Sequence, residues 1–234
     1  MACRIPNITS PPSQRDTRAL LLKGFSPNYR GNPDISRNQS ADIPPDQNCS
    51  LFLVGLAPDL THHELLSGIR NIGRVYATHI NPPVPEKGLE RSAAKVVFFE
   101  RKAAELFYNL FSGPGFSTPR NPHLRARVTW NRIQSEETDV GGFLSRVLLV
   151  SGPPEIVNWN FLCRYLNTKL QYQMDEVLPH GPSADGTRVL LELRFGSFRC
   201  QAQAAKMALG REFRKDGVAC EYGLDPCAPP RGSK

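Results

Sequence analysis

The sequence predicts an α+β fold: two β-α-β-β-α-β units in tandem behind a disordered N-terminal tail. Three observations predict it. Residues 51–56 (LFLVGL) form a short apolar strand with side chains alternating between faces, and residues 91–98 make a natural antiparallel neighbour for it. The order strand, helix, strand, strand, helix, strand runs through 50–133 and recurs over 145–222, a self-similarity that marks a tandem pair and not one large domain. Residues 1–47 are rich in Pro, Asn, Ser and Arg and cannot bury enough apolar surface to fold alone. The chain therefore divides into a tail (1–47), a first domain (48–134), a linker (135–144), a second domain (145–224) and a C-terminal tail (225–234).

Each element has its own signal. In the first domain, Thr61 caps a helix while Glu64 reaches back to it, a capping box, and Leu65, Leu66, Ile69 and Ile72 fall on one face. A strand over 74–80 enters a Pro-rich turn at 81–87, and a third strand follows at 91–99. The second helix spans 101–111, with Ala103, Phe107, Leu110 and Phe111 as its buried stripe. A Gly/Pro-rich loop, 113–123, leads to the last strand at 124–133. In the second domain the strands fall at 147–154, 172–178, 188–195 and 217–222. Its first helix buries Leu162, Tyr165, Leu166 and Leu170, and its second runs over 198–209. The linker, with Glu136, Glu137, Asp139 and Gly141-Gly142, reads as exposed chain. This order of elements is the split βαβ of ferredoxin-like folds.

Composition narrows the functional classes. The 29 Lys and Arg against 22 Asp and Glu give a formal charge of +7, which favours a polyanionic partner. No apolar run approaches the roughly 20 residues that cross a bilayer, and no secretory pattern is present, so a soluble nuclear or cytoplasmic protein is expected. The six cysteines contain no C-x-x-C pair and read as reduced thiols, and the sequons at Asn7, Asn38 and Asn48 are expected to stay unmodified. In the tail, Arg4, Arg15, Arg18 and Lys23 face a lone Asp16, yet no amphipathic helix follows. A leader, a segment packed on the first domain and an RNA-holding arm all remain open there.

On the first sheet, alternation points Leu51, Leu53 and the Gly55 backbone to the core and leaves Phe52 and Val54 on the open face. An open-face ring with Arg91 and Lys95 as strand neighbours suits a single-stranded nucleic acid, whose bases stack on the ring while phosphates meet cations. On the last strand Ala126, Val128 and Trp130 alternate inward, which directs Arg125, Arg127, Thr129 and Asn131 outward. Tyr76 or His79 on the second strand offers another stacking group.

Here the residues resemble a known family. Residues 51–61 (LFLVGLAPDLT) are similar to the first signature strand and following turn of the RNA-recognition-motif family, with Gly55 where that family usually has Asn. Residues 91–98 resemble its second signature, with Arg91 at the basic position and Ala93 and Lys95 where two stacking aromatics usually stand. The overall likeness is to fungal-type tandem proteins with degenerate signatures. The resemblance implies RNA binding through the sheet, by Phe52, Tyr76, Arg91, Lys95, Arg125, Arg127 and Asn131, with single-stranded RNA and other ribonucleoprotein or splicing proteins as partners and no cofactor.

In the second domain Leu148, Leu190 and Glu192 take the positions of Phe52, Ala93 and Lys95, and Glu221 is added from the last strand. An acidic, aliphatic sheet repels phosphate, so this domain is expected to pack on another surface or to receive a protein. Arg211 and Phe213 form the Arg-x-Phe that resembles a peptide-binding variant of the family, and they are its candidate protein-binding residues.

Catalytic and metal motifs are missing. His63-Glu64-Leu65-Leu66-Ser67 departs from H-E-x-x-H because Ser67 replaces the second ligand, so His62 and His63 read as surface residues of the first helical turn. Neither a G-x-S-x-G elbow nor a G-x-x-x-x-G-K loop occurs. The turn 57–59 offers a proline and an acid where a phosphate cradle needs amides. The expectation is a binding protein with no metal, no small-molecule substrate and no enzymatic activity. The alternative is a scaffold within a ribonucleoprotein in which neither sheet binds RNA.

Overall fold

The computed structural model describes residues 34, 41–139 and 141–230. The expected tail lies almost wholly outside them. In the first domain the strands are β1 (Ser50–Leu56), β2 (Val75–Asn81), β3 (Ser92–Phe98), β4 (Phe116–Thr118) and β5 (Asn121–Trp130), with helices α1 (His62–Ser67) and α2 (Arg101–Phe111). They form one antiparallel sheet in the order β2-β3-β1-β5-β4. In the second domain β6 (Val147–Gly152), β7 (Met174–Pro182), β8 (Val189–Phe195) and β9 (Ala219–Tyr222) pair in the order β7-β8-β6-β9, with α3 (Trp159–Lys169) and α4 (Gln203–Glu212). Two ferredoxin-like α+β domains stand in tandem.

Local chemistry explains the elements. Thr61 Oγ1 accepts from the Glu64 amide while the Glu64 carboxylate accepts from the Thr61 amide, closing the capping box that starts α1. Leu65, Leu66, Ile69 and Ile72 then enter the core with Leu51, Leu53, Val96, Phe98 and Phe107. On α2 the buried stripe is Ala103, Ala104 and Phe107, with Phe111 packed beside it. Leu110, expected inside, is 49% exposed, and the Phe116 ring packs against Phe107 and Phe111 on the buried side. Phe116 belongs to β4, a short strand within the expected loop, which pairs with β5 at Phe116↔Ala126.

The strict alternation expected of β1 fails at one place. Gly55 adopts φ +95°, and the register steps from Val54↔Ala93 to Leu56↔Ser92, a bulge that resets the side-chain phase. Leu56 therefore returns to the core, only 2% exposed. In the second domain the expected position of Leu148 is corrected: it is fully buried and pairs with core Leu193, whereas Leu149 pairs with Glu192 as Phe52 pairs with Lys95. The one-residue slip exchanges the faces of β6.

The two domains are packed together. The β8–α4 corner docks on β2, an edge strand, where Thr78 donates its amide to Ser197 Oγ (2.8 Å), accepts from that hydroxyl at its carbonyl, and donates its own hydroxyl to the Gly196 carbonyl (2.7 Å). Edge amides that would otherwise need water are thereby satisfied. Rings of Tyr76, Phe99, Phe198 and Tyr222 form a chain of contacts, each 5.2–5.9 Å between centroids. Of His62 and His63, both expected at the surface, His63 is exposed with Nδ1 2.8 Å from Asp175 of the second domain, whereas His62 is half-buried, and a Cβ on Gly196 would come within 2.9 Å of its ring.

Beneath this contact Arg146 is fully buried, donating to Asp225, Asp175 and the Phe195 carbonyl. Burial opposes its charge, and Asp225, Cys227 and Asp175 more than offset that, so its pKa is raised. Asp225 also accepts from the Val75 amide, and Cys227 lies within the core of the first domain, its carbonyl accepting from Ile72 and Gly73. The linker is exposed at Glu136, Glu137 and Gly141 as expected but is tied down at Asp139 and Leu144: Arg74 donates to Asp139 and to the Leu144 carbonyl, pairs with Glu100, and lies over the Phe99 ring at 4.5 Å.

Candidate nucleic-acid interface

Both helices of the first domain cover one face of its sheet, which leaves the other for function. Across that open face the strand register aligns a row, His79–Lys95–Phe52–Thr129, and a second row, Asn81–Ala93–Val54–Arg127. Phe52 is half-buried at the centre of the first row, and Val54 is 38% exposed. Val97, next along β3 on this face, is only 1% exposed, so the accessible ring and cations lie toward the Val54 end. Lys95 is half-buried beside Phe52, and burial first, then the Arg199 guanidinium, push its amine pKa down. Burial and Lys95 likewise lower His79, a hydrogen bond with Asn81 opposing them.

The other sequence-predicted residues fall into three settings. Arg127 is exposed opposite Val54, and Arg125 is exposed with one guanidinium nitrogen 3.3 Å from Ser117 Oγ. Arg91 precedes β3 and is exposed at the rim of a shallow cleft lined by Asp59, Glu90, Arg120 and His123, in which Arg120 is bound to Asp59 and Glu64. Asn131 and Tyr76 belong to the scaffold. The Asn131 amide donates to Ser50 Oγ and accepts from the Ile133 amide, which commits both ends to the turn after β5. Tyr76 stands at the β2 register shift between Val75 and Ala77 and packs on Phe99 and Phe198, so the bulge carries its ring into the domain contact.

The second sheet has different chemistry on the corresponding face. Leu149 pairs with both Glu192 and Glu221, and Leu190 pairs with Ser151. Arg194, its cation, is held at 2.6 Å by both Glu176 and Glu192, and His180 lies 2.8 Å from Glu192. The candidate protein-binding pair divides: Arg211 is exposed, whereas Phe213 packs edge-on against Tyr165 and Phe161 of α3, 4.8 and 5.5 Å away.

Among the described residues no group of His, Cys, Asp and Glu side chains can hold a metal ion, and no helix is long and apolar enough to cross a membrane. Arg199, which the sequence reading did not single out, is exposed two residues beyond Ser197, whose hydroxyl binds Thr78 on β2. Nothing in Phe198-Arg199-Cys200 signals that placement, because Thr78 is remote from it in sequence.

No family model and no curated protein matches the sequence. Among solved structures, the chain is similar to a Sex-lethal protein/RNA complex at 19% identity, covering 75% of this chain and 99% of that one with a TM-score of 0.29. It is similar to Sex-lethal RNA recognition domains 1 and 2 from Drosophila melanogaster at 17%, covering 75% and 100%, TM-score 0.28. It is also similar to the first two RRM domains of the yeast poly(U)-binding protein Pub1 at 15%, covering 75% and 99%, TM-score 0.30.

Proposed function

We propose that this chain is a tandem RNA-recognition-motif protein that binds single-stranded RNA through the open face of its first sheet. The observation that carries the reading is the row His79–Lys95–Phe52–Thr129 with Arg127 beside it: one half-buried ring flanked by cations on a face that no helix covers. A base stacks on Phe52, phosphates meet Lys95, Arg127 and Arg125, and Arg91 extends the cationic rim. With Ala93 and Lys95 in place of two aromatics, stacking depends on one ring, and each stacked base contributes about 1–3 kcal/mol. Affinity is therefore modest and carried largely by charge. The acidic second sheet does not bind RNA, and the chemistry is recognition, without catalysis.

Fluorescence anisotropy of the full chain with short single-stranded oligoribonucleotides, titrated in salt, tests this. A fragment ending at residue 135 would be a poor substitute, since it removes Cys227 from the first core. Phe52→Ala is expected to weaken binding by about 1–3 kcal/mol with the salt dependence kept, while Lys95→Glu weakens it and flattens the salt dependence. Undetectable binding at low salt, or affinity indifferent to both changes, removes RNA from this sheet.

A second reading has its own observation. An open groove of about 870 Å³ runs between α2, the linker and the C-terminal segment, and Leu106, Phe143 and Leu224 beside it are 41%, 79% and 61% exposed. Apolar side chains grouped this way suit a protein contact. If the chain is instead a ribonucleoprotein scaffold, Phe143→Ser would abolish its association while leaving RNA affinity unchanged.

A further inference from the structure

The second domain is held against the first by an anchor that ends one residue before a cation. Gly196 and Ser197 bind the edge of β2 at Thr78, and Phe198 inserts between the rings of Tyr76, Phe99 and Tyr222. The chain then breaks from helical geometry: Arg199 is extended (φ −61°, ψ 131°), Cys200 is left-handed (φ 61°), and α4 begins only at Gln203 instead of at residue 198. A left-handed non-glycine residue is a local strain that surrounding contacts must maintain. Arg199 stands exposed two residues beyond Ser197, whose hydroxyl binds Thr78, the β2 neighbour of His79.

We propose that Arg199, Lys95 and His79 form a phosphate-binding notch across the two domains, so that the second domain takes part in RNA binding through its β8–α4 corner and not through its sheet. This rests on the RNA-binding reading of the first sheet. His79 is the register partner of Lys95 on the open face, and Phe52 is the partner of Lys95 on its other side. A base stacked on Phe52 thus has its backbone beside Lys95, with Arg199 and His79 beyond it.

The charge balance supports an anion there. Among the described residues no ion pair joins Lys95 or Arg199 to a carboxylate. Close by, Asp175 acts on His62 but is already taken by Arg146 and His63. Lys95 and Arg199 without a counterion repel one another, and a bound phosphate removes that cost. Arginine's planar fork suits a phosphate oxygen pair. A flexible single strand can follow the notch from Phe52, which favours an RNA phosphate over a free anion.

The test uses the full chain and fluorescent oligouridylate titrated in salt, with Arg199→Ala, Arg199→Lys and Phe52→Ala. Arg199→Ala is expected to weaken binding and to reduce the log–log salt slope by about 0.7, the value for one phosphate contact on a single strand. Arg199→Lys should retain most of the slope, which separates charge from any disturbance of the corner. If Arg199→Ala keeps both affinity and slope while Phe52→Ala weakens binding, the notch is wrong and the sheet reading stands. If the unaltered chain binds no oligouridylate, both are overturned. Inorganic phosphate that competes at millimolar concentration as effectively against Arg199→Ala as against the parent would also remove the notch.

Discussion

Arg146 carries a full charge with no exposed surface, and its four acceptors, Asp175, the Phe195 carbonyl, Asp225 and the Cys227 sulfur, come from two strands and the C-terminal segment. Removing one member of a buried ion pair typically costs about 3–5 kcal/mol, because the remaining charges lose their partner without regaining water. Arg146→Ala should therefore lower stability by about that amount, measured by urea denaturation, with Asp175 and Asp225 left uncompensated. Arg146→Met combined with Asp225→Asn and Asp175→Asn should recover part of the loss. A single-variant loss under about 1 kcal/mol would show that water enters the site and that the cluster holds little. Asn48 shows the same economy on a smaller scale. It is 2% exposed, and its carbonyl oxygen accepts from the amides of Ser50 and Ser135, so its sequon is spent on structure.

At the scale of the element, β1 depends on the bulge at Gly55. Nothing lies within 4 Å of where a Cβ would stand, so a side chain there meets conformational strain and not a clash. For an L-residue the left-handed region costs about 1–2 kcal/mol, and Gly55→Ala should be destabilising by about that amount. If Gly55→Ala instead matches the parent in thermal unfolding, the bulge relaxes freely and the position of Leu56 in the core does not depend on it. The elements whose signal was local were legible in advance: the Thr61–Glu64 capping box, the stripe from Leu65 to Ile72 and the limits of α2. The faces of β1 were legible only up to Val54, because alternation has no means of showing where a bulge resets it. The same weakness misplaced Leu148, where a continuous apolar run, Val147 to Val150, offers no alternation to read.

For the whole molecule, the contact between domains ties stability to pH. Burial foremost, then His79, hold His62 below its usual 6.5, with Asp175 pulling the other way, while burial and Lys95 lower His79. A histidine depressed in the folded state takes up its proton more readily when unfolded. Its contribution is thus complete above pH 6.5 and is lost as pH falls through the lower folded value. Thermal stability should decline from pH 7 toward 5, and His62→Gln should flatten that decline. An equal slope in the variant would assign the decline to other groups. Below that window Glu64 adds a further loss. Burial raises its pKa, but the bonds from Arg120 and Thr61 outweigh that and hold it under 4.5.

From the sequence alone came two α+β domains in tandem, the limits of α2 and Phe52 with Lys95 and Arg127 on one open sheet face, because all of these follow from short-range periodicity and strand pairing. Only the tertiary structure decided that the domains are joined through Thr78 and Ser197, that Arg146 is buried between Asp175 and Asp225, and that Cys227 completes the first core. It also moved Tyr76 and Asn131 from the candidate surface into the scaffold and set Arg199 two residues beyond the Ser197 contact with β2. The physical reason is common to all of these. Each is a contact between residues far apart in the chain, made where an unsatisfied edge or charge in one element meets its complement in another, and no local pattern records which complement it will find.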